Sequence, residues 1–281
     1  MRDDSILNLR TQQTLIYIVL GFFTLLAVLP LWLMLVNGTR STEEIQQGLS
    51  LLPSTHLMDN WAILTGRGFQ IWQGFSNSTL IAFSATILSV YFSALTAYGL
   101  TIYTFRGRKS LFNLILALIA IPPQLGIIGF YRYMADLGLL NNFLPLILPA
   151  IAAPSTVFFL TQYIRGIVHT DLVDAARIDG SREFSTFNRI ILPVLTPGLA
   201  TMGIFTFVTT WNTFIMPYIL ISEKTLYTLP MLVLLLRTDI YKTEFGGIYL
   251  GIAVSVLPLL IFYALASRYI IAGVTVGSVK E

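Results

Sequence analysis

The placement of charge constrains this chain more than any other feature. Its 281 residues include 17 basic and 14 acidic ones. None of them falls within 11–39, 68–105, 110–131, 137–164, 190–222 or 245–267. Each stretch is at least 22 residues long, and a helix needs about 20 mostly apolar residues to cross a hydrocarbon core of ~30 Å. Helices of a soluble domain present a polar face to water, so a water-soluble fold has no physical reason to keep charge out of six such lengths. The pattern predicts an all-α integral membrane protein with six spanning helices in a single transmembrane domain over 1–281. The spans are expected at about 14–36, 75–103, 111–131, 143–164, 190–216 and 246–267.

Basic residues between the spans set an orientation, because cytoplasmic loops collect Lys and Arg. With the N-terminus inside, segments 1–10, 106–109, 165–189 and 268–281 carry 11 Lys and Arg in 53 residues. The outer segments 40–67, 132–136 and 223–244 carry 6 in 55, while acidic residues divide 7 and 7. Arg106, Arg108 and Lys109, packed into one very short loop, are the strongest part of that bias. The first apolar run is far longer than the 7–15 residues of a cleaved signal and reads as an uncleaved anchor. Leu226–Leu236 is apolar but only 11 residues long and contains Pro230. It is too short to span, and reads as an interfacial or re-entrant piece on the outer face.

Other chemistry is excluded by what is missing. A formal charge of +3 is too balanced for a nucleic-acid partner, and with no cysteine there is no disulfide, thiolate metal site or cysteine nucleophile. The dipeptide Gly-Lys does not occur, so there is no phosphate-binding loop of the G-x-x-x-x-G-K-[ST] type. His56 and His169 lie far apart in loops, without metal-ligand spacing. No G-x-S-x-G elbow is present either. An enzyme reading therefore has little support. Ion-coupled carriers commonly hold a charged or histidine side chain inside the bilayer despite a cost of about 2.5–3.5 kcal/mol. The uncharged spans therefore weigh against an ion-coupled secondary carrier, although sodium sites built of carbonyls and hydroxyls keep that alternative open. A purely structural membrane subunit is the third reading.

Eight of the charged residues gather in 165–189. There Asp171 is placed as a helix N-cap with Asp174 three residues on, and Gly180 supplies the C-terminal stop. The helix between them has about two and a half turns, with Leu172, Ala175, Ala176 and Asp179 on one face. So short a helix is marginal alone and is expected to be ordered by packing, chiefly against a partner at the cytoplasmic surface.

The spacing Asp174-Ala175-Ala176, Gly180, Ile190-Ile191-Leu192-Pro193 resembles the cytoplasmic signature of ABC importer permeases. Asp179 and Phe187 sit where that signature has its Asp and aromatic, while Asp174 replaces its Glu and Ser181 its Ala. Asn77-Ser78, Pro122-Pro123, Trp211-Asn212-x-Phe214-x-x-Pro217 and the tail Arg268–Lys280 extend the likeness to the second, six-span permease subunit of carbohydrate importers of the maltose-transporter type. The resemblance implies a coupling helix at about 171–182, with Asp171, Leu172, Asp174, Ala175, Ala176, Asp179 and Gly180 engaging a separate ATPase. It implies a second permease subunit, two ATPase subunits and an extracytoplasmic solute-binding protein as partners, in a bacterial inner membrane with both termini cytoplasmic. ATP and magnesium would belong to the ATPase, leaving this chain without a cofactor. It also makes Asn77, Thr209, Trp211 and Asn212 candidates for lining a translocation path. The competing roles are a cap on the second span for Asn77, an interfacial belt for Trp211 and an interhelical hydrogen bond for Asn212. The tail is expected to reach the ATPase.

Overall fold

The computed structural model describes residues 2–66, 70–237 and 244–275. The elements are α-helices and shorter helical turns, and there is no strand among the described residues. The chain begins with α1 (Arg2–Asn37), α2 (Thr42–Gln46), α3 (Leu57–Thr65) and α4 (Ile71–Ile102). Next come α5 (Arg108–Ile119), α6 (Ile127–Asp136), α7 (Leu144–Ile147) and α8 (Pro154–Ile167). They are followed by α9 (Thr170–Ile178), α10 (Glu183–Thr186), α11 (Leu192–Val194) and α12 (Thr196–Asn212). The last are α13 (Ile215–Leu220), α14 (Leu229–Arg237) and α15 (Phe245–Thr275). Contacts divide the chain into two compact units, Met1–Phe69 with Val233–Leu257, and Gln70–Leu232 with Pro258–Glu281.

In the first unit a buried Arg40 organises what the sequence shows only as a loop. Its Nη1 donates to Asn37 Oδ1 at 3.1 Å and to the Gly48 carbonyl at 3.0 Å, and its Nη2 donates to the Glu44 carbonyl. A buried guanidinium is tolerable only with its donors used in this way. Asn60 Nδ2 donates to the carbonyls of Gly38 and Arg40, both at 2.9 Å. A methyl group at Gly246 would collide with the Arg40 carbonyl and the Asn60 amide, so glycine alone lets α15 begin there. Ser41 and Glu44 close a reciprocal capping box on α2. The apolar side chains of α1 from Leu15 to Leu35 are largely exposed, as suits a helix facing lipid or another membrane protein.

The second unit is built on α4. Ser78, Ala82, Ala85, Ser89, Ser93 and Ala97 are all buried along it. Small side chains at these spacings let α8 and α12 approach the backbone closely, which is how helices pack where lipid supplies no hydrophobic drive between them. Among the described residues, four segments are long and apolar enough to cross a membrane: Gln12–Asn37, Ile71–Ile102, Leu144–Ile167 and Phe245–Ala264.

The remaining two predicted spans are broken. The helices either side of Pro122-Pro123 meet at 88°. Proline bars the preceding residue from helical geometry, and Pro122 accordingly sits at φ −61°, ψ 124°. The 12 residues of α5 cover only about 18 Å, so 111–131 is not one straight span. Likewise Glu183–Val194 and Thr196–Asn212 meet at 80°, and 190–216 is not a single helix. Pro193 offers no N–H and its ring crowds the carbonyl four residues back; the preceding turn, Phe187–Ile191, is π-helical. Counting each bent pair once gives up to six spans.

The short apolar segment folds as α14, and Pro230 lies in its first turn, where a missing N–H costs nothing. It is anchored to the start of α4. The Leu229 N–H donates to Ser78 Oγ at 2.9 Å, and Asn77 Nδ2 donates to the carbonyls of Thr225 and Tyr227 at 2.9 and 3.0 Å. Leu229, Met231 and Leu232 are buried. The tail continues α15 as far as Thr275; the rest of it, with any contact to an ATPase, lies outside the described residues.

Candidate functional site

The segment between α8 and α12 carries the first candidate site. α9 starts at Thr170, with His169 as its N-cap in extended geometry and no side-chain cap bond. Asp171 therefore stands in the first turn, where a carboxylate meets the positive end of the helix dipole. It is not the cap that the sequence suggested. At the other end Gly180 has φ +77°. Its N–H donates to the Arg177 carbonyl and that of Ser181 donates to the Ala176 carbonyl, at 3.0 and 2.9 Å. These are the two bonds of a Schellman stop.

The mounting of α9 differs from the predicted face. Val173 is 1% exposed and Ala176 4%. Val173 belongs to one core cluster with Tyr98 of α4, Leu160 and Ile164 of α8, and Phe187 and Ile191 beyond α10. The helix is thus ordered by its own chain. Ala176 is buried as well, while Asp171, Leu172, Asp174, Ala175 and Asp179 remain exposed. Ile178 is 86% exposed and Phe184 66%, so apolar side chains stand on the outer surface of the segment.

Polar contacts brace the same helix. Arg177 Nη1 donates to Asp174 Oδ1 at 3.1 Å and its Nε to Glu183 Oε1 at 2.9 Å. The Tyr103 hydroxyl, just beyond α4, donates to Glu183 Oε2, and the Arg177 guanidinium lies 5.8 Å from the centre of the Tyr103 ring. The Tyr103 hydroxyl first, and Arg177 second, hold the Glu183 carboxyl below its usual range. Glu183 in turn raises the pKa of Arg177. Ser181, where the resembling proteins carry Ala, accepts a 2.9 Å bond from the buried Thr186 hydroxyl. Tyr103 and Glu183 had no signal in the sequence; their partnership joins positions 80 residues apart.

The four candidate path residues separate into two pairs. Asn77 is buried, with both donor bonds directed to the 225–227 backbone. Trp211 is buried against Phe75 and Phe207, with ring centres 5.8 and 5.6 Å apart. Thr209 and Asn212 are exposed and line a cavity of about 460 Å³ with Gln124, Thr213 and Phe214. It opens where the Pro122-Pro123 break faces the end of α12. Two amides, two hydroxyls and an aromatic ring stand there among the apolar side chains of Pro123, Ile127, Ile215 and Met216, and no charged residue lines the cavity. Gln124 and Thr213 were missed; the proline pair next to Gln124 was the available signal.

The profile of the family described as "Binding-protein-dependent transport system inner membrane component" matches residues 89–276. The arabinooligosaccharides transport system permease protein AraQ of Halalkalibacterium halodurans is 36% identical over 263 residues, covering 92% of this chain and 94% of that one. The diacetylchitobiose uptake system permease protein NgcG of Streptomyces coelicolor is 30% identical over 261 residues, covering 92% and 86%. A crystal structure of a bacterial ABC transporter that imports the acidic polysaccharide alginate matches in fold. Its TM-score is 0.79 at 21% identity, over 93% of this chain and 97% of that one.

Proposed function

The chain belongs to the binding-protein-dependent transport system inner membrane components, and from that membership we propose that it forms half of the translocation pathway of an ATP-driven carbohydrate importer. It is a multi-pass permease subunit; hydrolysis of ATP belongs to a separate subunit. Relatives named for arabino-oligosaccharides and diacetylchitobiose support a sugar or oligosaccharide as the solute. The ion-coupled carrier falls with the family match, since these relatives are permeases of transport systems in which the carrier reading has no counterpart.

The observation that carries the coupling role is the mounting of α9. Its inner side is fixed through Val173 and its end is stopped by Gly180, while Leu172, Ala175 and Ile178 face outward. Moving a two-state equilibrium from 1:99 to 99:1 takes about 5.5 kcal/mol of differential binding, and a firmly seated helix can pass on that bias. Our reading is that α9 and the residues to Arg182 dock on the ATPase, with Asp171, Leu172, Asp174, Ala175 and Asp179 at the contact. Ala176 and Gly180 hold its shape. Both termini are cytoplasmic, in accord with the basic loops. A second permease, two ATPase subunits and an extracytoplasmic solute-binding protein complete the assembly. ATP and magnesium are held by the ATPase, and no cofactor is assigned here. Thr209 and Asn212, with Gln124, line the path; Asn77 and Trp211 support it.

Purification from the native membrane in mild detergent tests this reading. An ATPase subunit is expected in stoichiometric amount, together with ATP-driven uptake after reconstitution. Solute accumulation by the chain alone in liposomes, driven by an ion gradient, would overturn it.

A further inference from the structure

Near the ends of α4, α5 and α8 lies an open cavity of about 640 Å³, separate from the residues assigned to the path. Arg108, Lys109 and Arg165 line it with Ser110 and Asn113, and no carboxylate is among its lining residues. Two of the three cations are held in place without being neutralised. Arg165 sits over the Phe112 ring at 5.1 Å, and Arg108 Nη1 donates to the Tyr103 carbonyl at 3.2 Å. Three like charges collected around one opening repel one another, and an anion between them relieves that repulsion.

Depth in the membrane indicates which anion. The charge-free stretches end at Phe105 and Ile164 and resume at Ser110, so all three helices enter or leave the hydrocarbon at this cavity. That is the level of lipid headgroups. On the orientation adopted above, on which this inference rests, it is the inner leaflet, whose anionic lipids attract clustered Lys and Arg. We propose that the cavity binds the phosphate of an anionic phospholipid, with Arg108, Lys109 and Arg165 as its ligands and the acyl chains along the apolar side of α5. Tyr103 connects this site to the coupling segment. Its carbonyl accepts from Arg108, its hydroxyl donates to Glu183, and its ring lies beneath Arg177. Filling the cavity therefore steadies the residue that braces α9.

Native mass spectrometry of the intact importer complex, exchanged into mixed phosphatidylglycerol and phosphatidylcholine, reads the site directly. The native chain should retain phosphatidylglycerol preferentially. Lys109→Gln and Arg165→Gln should each lower that retention about fivefold, while Arg132→Gln, on α6 and outside the cavity lining, should leave it unchanged. Lys109, exposed and remote from the core, serves if Arg165→Gln fails to assemble. Equal retention of the two lipids, or retention unaffected by Lys109→Gln, would overturn the proposal. Displacement of the lipid by millimolar inorganic phosphate would overturn the lipid source and assign the cavity to a free anion. Failure of the importer reading would be visible separately in the same spectra, as a missing ATPase mass.

Discussion

At Gly180 the backbone turns through φ +77°, a region that costs a residue with a Cβ about 1–2 kcal/mol and a β-branched one most. Gly180→Val should therefore loosen the end of α9, and reconstituted importer should hydrolyse ATP with little uptake. Gly180→Asn, which tolerates the left-handed region, should restore most of the coupling. A transport-to-hydrolysis ratio that is the same for both variants would contradict this. Glu183 supplies a second residue-level test. Its carboxyl is held below the ordinary value near 4.5, so its contribution to bracing α9 is present above that value and is lost as pH falls through the lowered one. Protection factors of the amides in 170–178, corrected for the intrinsic pH dependence of exchange, should hold down to about pH 4.5 and fall below it. In Glu183→Gln the low-pH step should be absent, with protection below that of the native chain above the step and equal to it below. The Gly180 stop was legible in the sequence because a positive φ calls for glycine. The buried side was not. Two neighbouring stripes, 172/175 and 173/176, are both small or apolar, and only the tertiary neighbours Tyr98, Leu160 and Phe187 select Val173.

Among the elements, α4 has the strictest steric demand. Ser93 is fully buried, and α8 and α12 both pack on this helix. Ser93→Leu adds side-chain volume where there is no room, and should destabilise the unit by about 1–3 kcal/mol. Thr96→Leu, on the exposed side of the same helix, should be close to neutral. Thermal denaturation in detergent distinguishes them, and equal midpoints would refute the packing account. Charge-free length was enough to locate the apolar stretches, because the bilayer excludes charge irrespective of helix geometry. It could not show their straightness. Pro122-Pro123 and Pro193 are plain in the sequence, but proline marks only where a helix breaks and leaves the angles of 88° and 80° to the surrounding packing. The 40–66 segment was equally hidden, because its order depends on Arg40 reaching the carbonyls of Glu44, within α2, and Gly48, just after it.

For the whole molecule, the division into two compact units had no sequence signature, since each unit joins segments distant in the chain. The loop signature was legible at this scale because its spacing survives even where Asp174 and Ser181 depart from the common residues. The central claim is that the exposed surface of α9 meets an ATPase. A cysteine-free chain allows a direct test, because Ile178→Cys places a single thiol on the most exposed apolar side chain of that helix. A short bifunctional cross-linker applied to the assembled complex should join Cys-bearing chain and ATPase subunit in a single adduct and stop ATP-driven uptake. Free labelling of that thiol by a water-soluble maleimide in the intact complex, with no ATPase adduct, would contradict the account.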